Sequence, residues 1–244
     1  MVGVDMEGPE LLAADRLNEK GKEIDLVMAH HPEGTAYANF YDVMHLQENA
    51  LAKLGIPLET GKELLKERMG EVERAVAGAN HTRSVDIARL LDIPFMCVHT
   101  PADNHVNNYL QKTFDTKKPK TIADVLNILK AIPEYTDALK KHAGPRILIG
   151  DPKKKAGKVF VDMTGGTEGP KRIFGRLAQA GVGTIVAMHL SEEHFKNAKA
   201  EMMNVIIAGH IASDTLGLNL LLDQVEKKEK MRIIPCSGFV RIRR

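Results

Sequence analysis

The chain has no tryptophan, four tyrosines and seven phenylalanines among 244 residues, so aliphatic side chains must build its core. That composition suits an ordinary α/β protein, and the length allows one large domain or two intimately packed halves. Its two cysteines, Cys97 and Cys236, lie far apart within apolar stretches. They read as free, buried thiols of a reducing compartment rather than as a disulfide framework. No apolar run approaches the roughly 20 residues that a membrane span needs, and no secretory signal pattern opens the chain. Charge of one sign is missing too, since the formal net charge is +2. Nothing in that balance points to a membrane or nucleic-acid surface. The basic runs Lys153–Lys155 and Arg241–Arg244 read as a hairpin tip and a frayed terminus, both solvated. The expectation is a cytoplasmic protein.

What the chain does have is alternation. Short runs rich in Val and Ile lie at Val2–Asp5, Ile24–Ala29, Ile93–Val98, Ile147–Gly150, Val159–Met163, Thr184–Met188, Val205–Ala208 and Ile233–Cys236. Such runs fit strands buried on both faces. Helix-period segments separate most of them, at Gly8–Lys20, Ile122–Leu139, Glu168–Ala180, Ser191–Met202 and Ser213–Lys227. The predicted fold class is therefore α/β, with mixed, mostly parallel sheets flanked by helices.

Three landmarks occur twice in the same order. Val4-Asp5-Met6 with Glu7-Gly8-Pro9 resembles Val161-Asp162-Met163 with Glu168-Gly169-Pro170. The next strand ends on His30 in one half and on His189 in the other. The third opens His99-x-x-x-Asp103 and His210-x-x-x-Asp214. This order implies a duplication, with intertwined halves of about 1–117 and 118–244 and a site between them. From His30 to His99 is 69 positions, but from His189 to His210 only 21, so the first half carries an insertion of about 48 residues. It spans roughly 35–91, has helical periodicity, and would serve as a lid, a wall of the site or an oligomer surface. A helix and a strand precede Val161, whereas nothing precedes Val4. The first sheet would then have an open edge, as in a chain shortened at its amino terminus or covered by another chain.

Chemistry concentrates at the strand ends, where open α/β sheets place their ligands. His30 and His31 close an apolar strand. Successive side chains point to opposite faces, so both serve one site only if the chain bends, as Pro32 favours. Two solvated histidines are the plain alternative. Asp103 and Asp214 could each cap a helix. Capping does not explain why histidine ends both strands. Imidazole with carboxylate suits zinc, iron, manganese or cobalt. His30 and His31 joined to the two His-x-x-x-Asp segments would suit a pair of cations about 3.5–4 Å apart. The glycine-rich turn Thr164–Gly169, with Lys171 and Arg172 beside it, would be a tight turn or a phosphate cradle. His45, His81, His105 and His189 read as surface or core histidines.

These motifs resemble the Nif-three-like proteins, a dinuclear-metal group also called GTP cyclohydrolase I type 2 homologues. The resemblance rests on His30-His31-Pro32, His99-Thr100-Pro101-Ala102-Asp103 and Gly209-His210-Ile211-Ala212-Ser213-Asp214, and spans nearly the whole chain. It implies two divalent metal ions held by His30, His31, Asp103, His210 and Asp214. Where the family usually has glutamate this chain has Asp214, shorter by a methylene, which puts bridging of both metals in doubt. His99 would orient Asp103 or add a ligand. Glu192 would match a family glutamate that acts as base, though the helix dipole alone explains an acid there. The resemblance implies a metal-dependent hydrolase acting on a small-molecule substrate, a purine nucleotide such as GTP, through an activated water. It equally allows a homo-oligomer, a dimer-based ring such as a hexamer, that serves as a metal-binding scaffold for a protein or nucleic-acid partner.

Overall fold

Val and Ile at successive positions put apolar side chains on both faces of the central strands, so each sheet must be covered twice. The computed structural model describes all 244 residues. The first half contains β1 (Val2–Gly3), α1 (Gly8–Glu19), β2 (Val27–Ala29), α2 (Thr35–Ala38), a 3₁₀ turn (Phe40–Met44), α3 (His45–Lys53), α4 (Leu58–Val76), α5 (Arg83–Leu90), β3 (Phe95–Cys97) and α6 (His99–Lys117). The second contains α7 (Ile122–Lys130), α8 (Pro133–Lys140), β4 (Arg146–Ile149), β5 (Lys158–Asp162), α9 (Phe174–Gln179), β6 (Val182–Ala187), α10 (Glu192–Ala200), β7 (Asn204–Ile207) and α11 (His210–Glu226). No helix is long and apolar enough to cross a membrane.

One sheet is parallel, in the order β1-β2-β3. The other runs β4-β7-β6-β5, with β5, β6 and β7 parallel and β4 antiparallel on β7. Thus β1, β2 and β3 correspond to β5, β6 and β7. Helices α6 and α11 lie between the sheets. Val106, Leu110 and Leu216 pack on Val159, Val161, Val186 and Ile206 of the larger sheet, while Ala102, Leu218 and Leu222 join Val2 and Val4 of the smaller. Nine residues of α11 are buried, as expected of a helix covered on every side. Outside, α1 and α5 cover the smaller sheet through Leu11, Ala14 and Ala88.

The insertion settles on the other half. Met44, Leu51, Leu65, Val72 and Val76 pack with Ile173, Phe174, Leu177, Ile185 and Val205, which makes α3 and α4 a helical layer on the larger sheet. Buried Gln47 donates to the carbonyls of Gly165 and Thr167 at 2.8 Å, clamping the glycine-rich turn. The insertion thus forms an outer layer on the larger sheet and supports the glycine-rich turn beside the cleft.

The predicted Ile122–Leu139 helix breaks at Pro133, whose ring disfavours helical backbone at the residue before it. The predicted Glu168–Ala180 helix forms only from Phe174, since Gly165 and Gly166 take positive φ and the turn stays irregular. Ile233–Cys236 forms no regular strand. It nonetheless lies along β1: Val2 N–H donates to Ile234 O, and Cys236 N–H to Val2 O. One edge of the smaller sheet is therefore covered by the chain itself, while β3 has no strand beyond it. Cys97 and Cys236 are free and half-buried.

Edge strand β5 is protected by amides from α6. Gln111 accepts from Val161 N–H at 3.0 Å and donates to Val159 O at 3.1 Å, and Asn107 accepts from Met163 N–H at 3.1 Å. Gln111→Leu leaves two buried peptide groups unpaired. It is expected to lower the unfolding free energy by about 1–3 kcal/mol, measured by urea titration. An unchanged midpoint would show that the amide bonds contribute nothing.

Candidate metal centre

The carboxyl ends of the parallel strands face one cleft, and α6 and α11 begin there at His99 and His210. Their N-caps, Val98 and Gly209, make no side-chain cap bond. Asp103 and Asp214 lie four residues further in, on the same helix face as each histidine. The capping alternative therefore fails for both. Gly209 has φ of 108°, and a Cβ there would lie 2.5 Å from the Ala143 carbonyl, so the tight entry into α11 requires glycine.

The structure brings His30, His31, Asp103, His210 and Asp214 together, with His99 among them. His30 Nε2 lies 3.3 Å from Asp103 Oδ1 and 3.3 Å from Asp214 Oδ1. The other oxygen of Asp214, Oδ2, lies 3.5 Å from His31 Nε2 and 3.5 Å from His210 Nε2. His99 Nδ1 is 3.1 Å from Asp103 Oδ2, and its ring stacks on His30 at 4.8 Å. Two groups could each hold a cation: His30, His31 and Asp214, and His30, His99 and Asp103. The two oxygens of Asp214 face different imidazoles, Oδ1 toward His30 and Oδ2 toward His31 and His210, while the residue common to both groups is His30.

Burial sets the electrostatics. It opposes charge on His30, yet Asp103 and Asp214 outweigh it and push that imidazole up to about 9. His99, penalised by burial and then by the His30 charge, falls to about 3. Burial pushes Asp103 up to about 6. Burial would raise Asp214 too, but the neighbouring imidazoles of His30 and His31 hold it below the usual carboxylate range. A cation ligated here would displace the imidazolium proton of His30, since a metal takes the neutral ring.

Six of the eight buried side-chain N and O atoms without a hydrogen-bond partner belong to His30, His99, Asp103 and Asp214. Such atoms are rare in native proteins because each loses its hydration uncompensated. Their concentration in one imidazole–carboxylate cluster is what a cation site requires, and the donor set fits zinc, iron, manganese or cobalt.

Several surrounding residues were not singled out by sequence. Asp5 Oδ1 lies 2.5 Å from His31 Nδ1, which turns Nε2 of that ring toward Asp214. His189 packs on His210 at 4.9 Å between ring centroids, and its Nδ1 is 3.4 Å from Glu168 Oε1. Burial would raise Glu168, but His189 and Ser191 hold it down at about 2. Buried His194 contacts Glu168 Oε2 at 3.3 Å. Asp5 and His189 had a signal: the repeat pairs them with Asp162 and His30. Glu168 had a weaker one as the partner of Glu7. Phe40, from the insertion, meets His99 edge-on at 5.2 Å, a contact that no local pattern announces.

Glu192 is not at the site. As the first residue of α10 it is exposed, 3.5 Å from Lys196, and the acid at the cleft is Glu168. The Arg241–Arg244 tail is not frayed either. The Arg241 side chain is only 6% exposed, with Asp223 at 2.5 Å and Glu226 at 2.6 Å.

Residues 72–237 match the model of the Duf34/NIF3 (NGG1p interacting factor 3) family. Among solved structures, the chain is similar to a NIF3 superfamily protein from Sphaerobacter thermophilus, with 26% identity and a TM-score of 0.82 over 98% of this chain and 86% of that one. It also shares its fold with reduced HcgD from Methanocaldococcus jannaschii, at 13% identity and a TM-score of 0.55 over 96% of this chain and 81% of that one. A protein from Thermus thermophilus gives 13% identity and a TM-score of 0.50 over the same shares. No curated protein matches the chain. With two thirds of its length in the family match and the strand-end histidines and aspartates gathered in one cleft, this chain belongs to the Duf34/NIF3 family.

Proposed function

We propose that the chain is a metal-dependent hydrolase. Its centre holds two divalent cations between His30, His31, Asp103, His210 and Asp214, with His99 as a further donor. The observation that carries this reading is the set of buried, unpartnered donor atoms in the cluster. When bound, such cations lower the pKa of water toward neutrality and polarise an electrophile. The chain's own residues supply the rest. Asp5 fixes the tautomer and direction of His31. Glu168, 3.4 Å from Nδ1 of His189, favours the protonated form of that ring beside His210, which can then pass the proton of its other nitrogen, Nε2, to a leaving atom. The apolar walls of the cleft, among them Phe174, Leu177 and Ile185, exclude bulk water and strengthen these charges.

The substrate class proposed is a purine nucleotide such as GTP. Metal-reconstituted protein screened against nucleotides and generic phosphoesters is expected to turn over at least one of them, and the double variant His31→Ala/Asp214→Ala none. Absence of turnover in the native sequence, or equal turnover in the double variant, would remove the hydrolase reading from this site.

A further inference from the structure

A cavity of about 650 Å³ opens beside the metal centre, within the range of roughly 300–1,000 Å³ typical of small-molecule sites. It shares Met188, His189, Leu190 and His210 with the smaller cleft that contains Asp103 and Asp214, so these residues partition the two. Its far walls are largely aliphatic: Leu148, Ile207, Ile211, Ala212, Val240 and Ile242.

The last two belong to the C-terminal tail, and that wall is built in. Arg241 pairs with Asp223 and Glu226, Arg243 with Glu226 at 3.0 Å, and Arg244 with Glu134 at 2.6 Å. The tail's three arginines thus hold the two apolar residues between them against α11 and α8. A wall fixed by several ion pairs gives a cavity formed before any ligand arrives.

Charge around the cavity is uneven. Its acids are committed: Asp137 lies 2.6 Å from Lys141, and Glu134 accepts from Asn219 at 2.9 Å as well as from Arg244. Arg146, exposed at the start of β4, lines the cavity and takes part in no ion pair. A largely aliphatic cavity with a free guanidinium at its rim favours an apolar group that carries an anion.

We propose that this cavity holds the non-reacting part of the substrate, a largely apolar group with an anionic substituent directed to Arg146, and that the C-terminal tail forms its outer wall. Only the ligand's being a substrate rests on the hydrolase reading; the binding site stands on the cavity.

Two probes with the same ring system separate its elements. Anilinonaphthalene sulfonate is largely apolar and anionic, while phenylnaphthylamine lacks the sulfonate. Both are titrated by fluorescence into the full chain, with elemental analysis and circular dichroism as controls. Saturable binding of one probe per chain is expected. Ile211→Asp, at a partly exposed position of the wall, is expected to weaken both probes by about tenfold or more, since it sets an unpaired charge against the ligand. Ile242→Asp, on the tail, reads the same wall where Ile211→Asp disturbs folding or metal content. Arg146→Gln is expected to weaken the sulfonate by about threefold to tenfold and leave the neutral probe unchanged. Absence of saturable binding, or unchanged affinities in both aspartate variants, overturns the site. Equal loss of both probes in Arg146→Gln overturns the anionic substituent. A protein that binds the probes but hydrolyses nothing keeps the cavity and loses the hydrolase.

Discussion

Asp214→Ala is expected to abolish binding of both cations, whereas Asp103→Ala and His210→Ala each cost one. The asymmetry follows from where the oxygens point. Asp214 Oδ1 faces His30, 3.3 Å away, and Oδ2 faces His31 and His210 at 3.5 Å, so in the proposed two-cation centre this one fully buried carboxylate would serve both cations. Asp103 serves only the His30 and His99 side. Removing a group that merely orients a ligand weakens a metal site by about 10–100-fold, so loss of a carboxylate shared by two cations should exceed the upper end of that range. Elemental analysis after dialysis measures the stoichiometry, and calorimetric titration the affinity. One cation retained by Asp214→Ala at native affinity would refute the shared role. Asp214→Asn keeps the shape and loses the charge. It should resemble the alanine variant in metal content while folding as the native chain does.

Gly217→Val is expected to lower stability by about 3 kcal/mol and to weaken metal binding in the same protein. A Cβ at Gly217 would lie 2.5 Å from the carbonyl oxygen of Ala102, because α6 and α11 cross here with their backbones nearly touching. Overpacking of a well-filled interior costs about 1–3 kcal/mol, and the backbone atom that valine meets cannot rotate away. For a chain of this size that corresponds to a melting temperature lower by about 6–12 °C. The consequence reaches the site because Ala102 precedes Asp103 and Gly217 lies one turn beyond Asp214. Forcing the helices apart separates the two carboxylates. A variant that melts lower yet keeps native metal affinity would show that helix spacing does not set the site.

Much of this was legible from short-range pattern. Seven of the eight Val- and Ile-rich runs became the seven strands, because a strand buried on both faces must be apolar at nearly every position. The repeated landmarks located the cleft, since equivalent strands of a duplicated unit end at equivalent places. Even the members of the cleft that were passed over, Asp5 and His189, stood opposite Asp162 and His30 in the repeat. A histidine beside no other polar residue gives no local sign of a partner, so His189 read as ordinary.

Other features lay beyond local pattern. Glu192 and Glu168 both stand near helix starts, and only the path of residues 164–173, held by Gln47 from the insertion, decides which acid reaches the cleft. The tail Arg241–Arg244 looks like any solvated basic run until α11 brings Asp223 and Glu226 beside it. The insertion's apolar stripe announced a buried face but not the sheet it would cover.

By itself the sequence determined the class of the fold, its repeated landmarks, and the strand ends that carry imidazole and carboxylate. All three are written in spacings of a few residues. The tertiary structure alone decided which imidazoles the two oxygens of Asp214 face, that Glu168 rather than Glu192 stands beside His189, and that an arginine-bound tail walls a cavity next to the histidine–aspartate cluster. Each depends on contacts between segments distant in the chain, such as Gln47 with Gly165 and Glu134 with Arg244. Such contacts are set by how helices and sheets pack, which local periodicity does not encode.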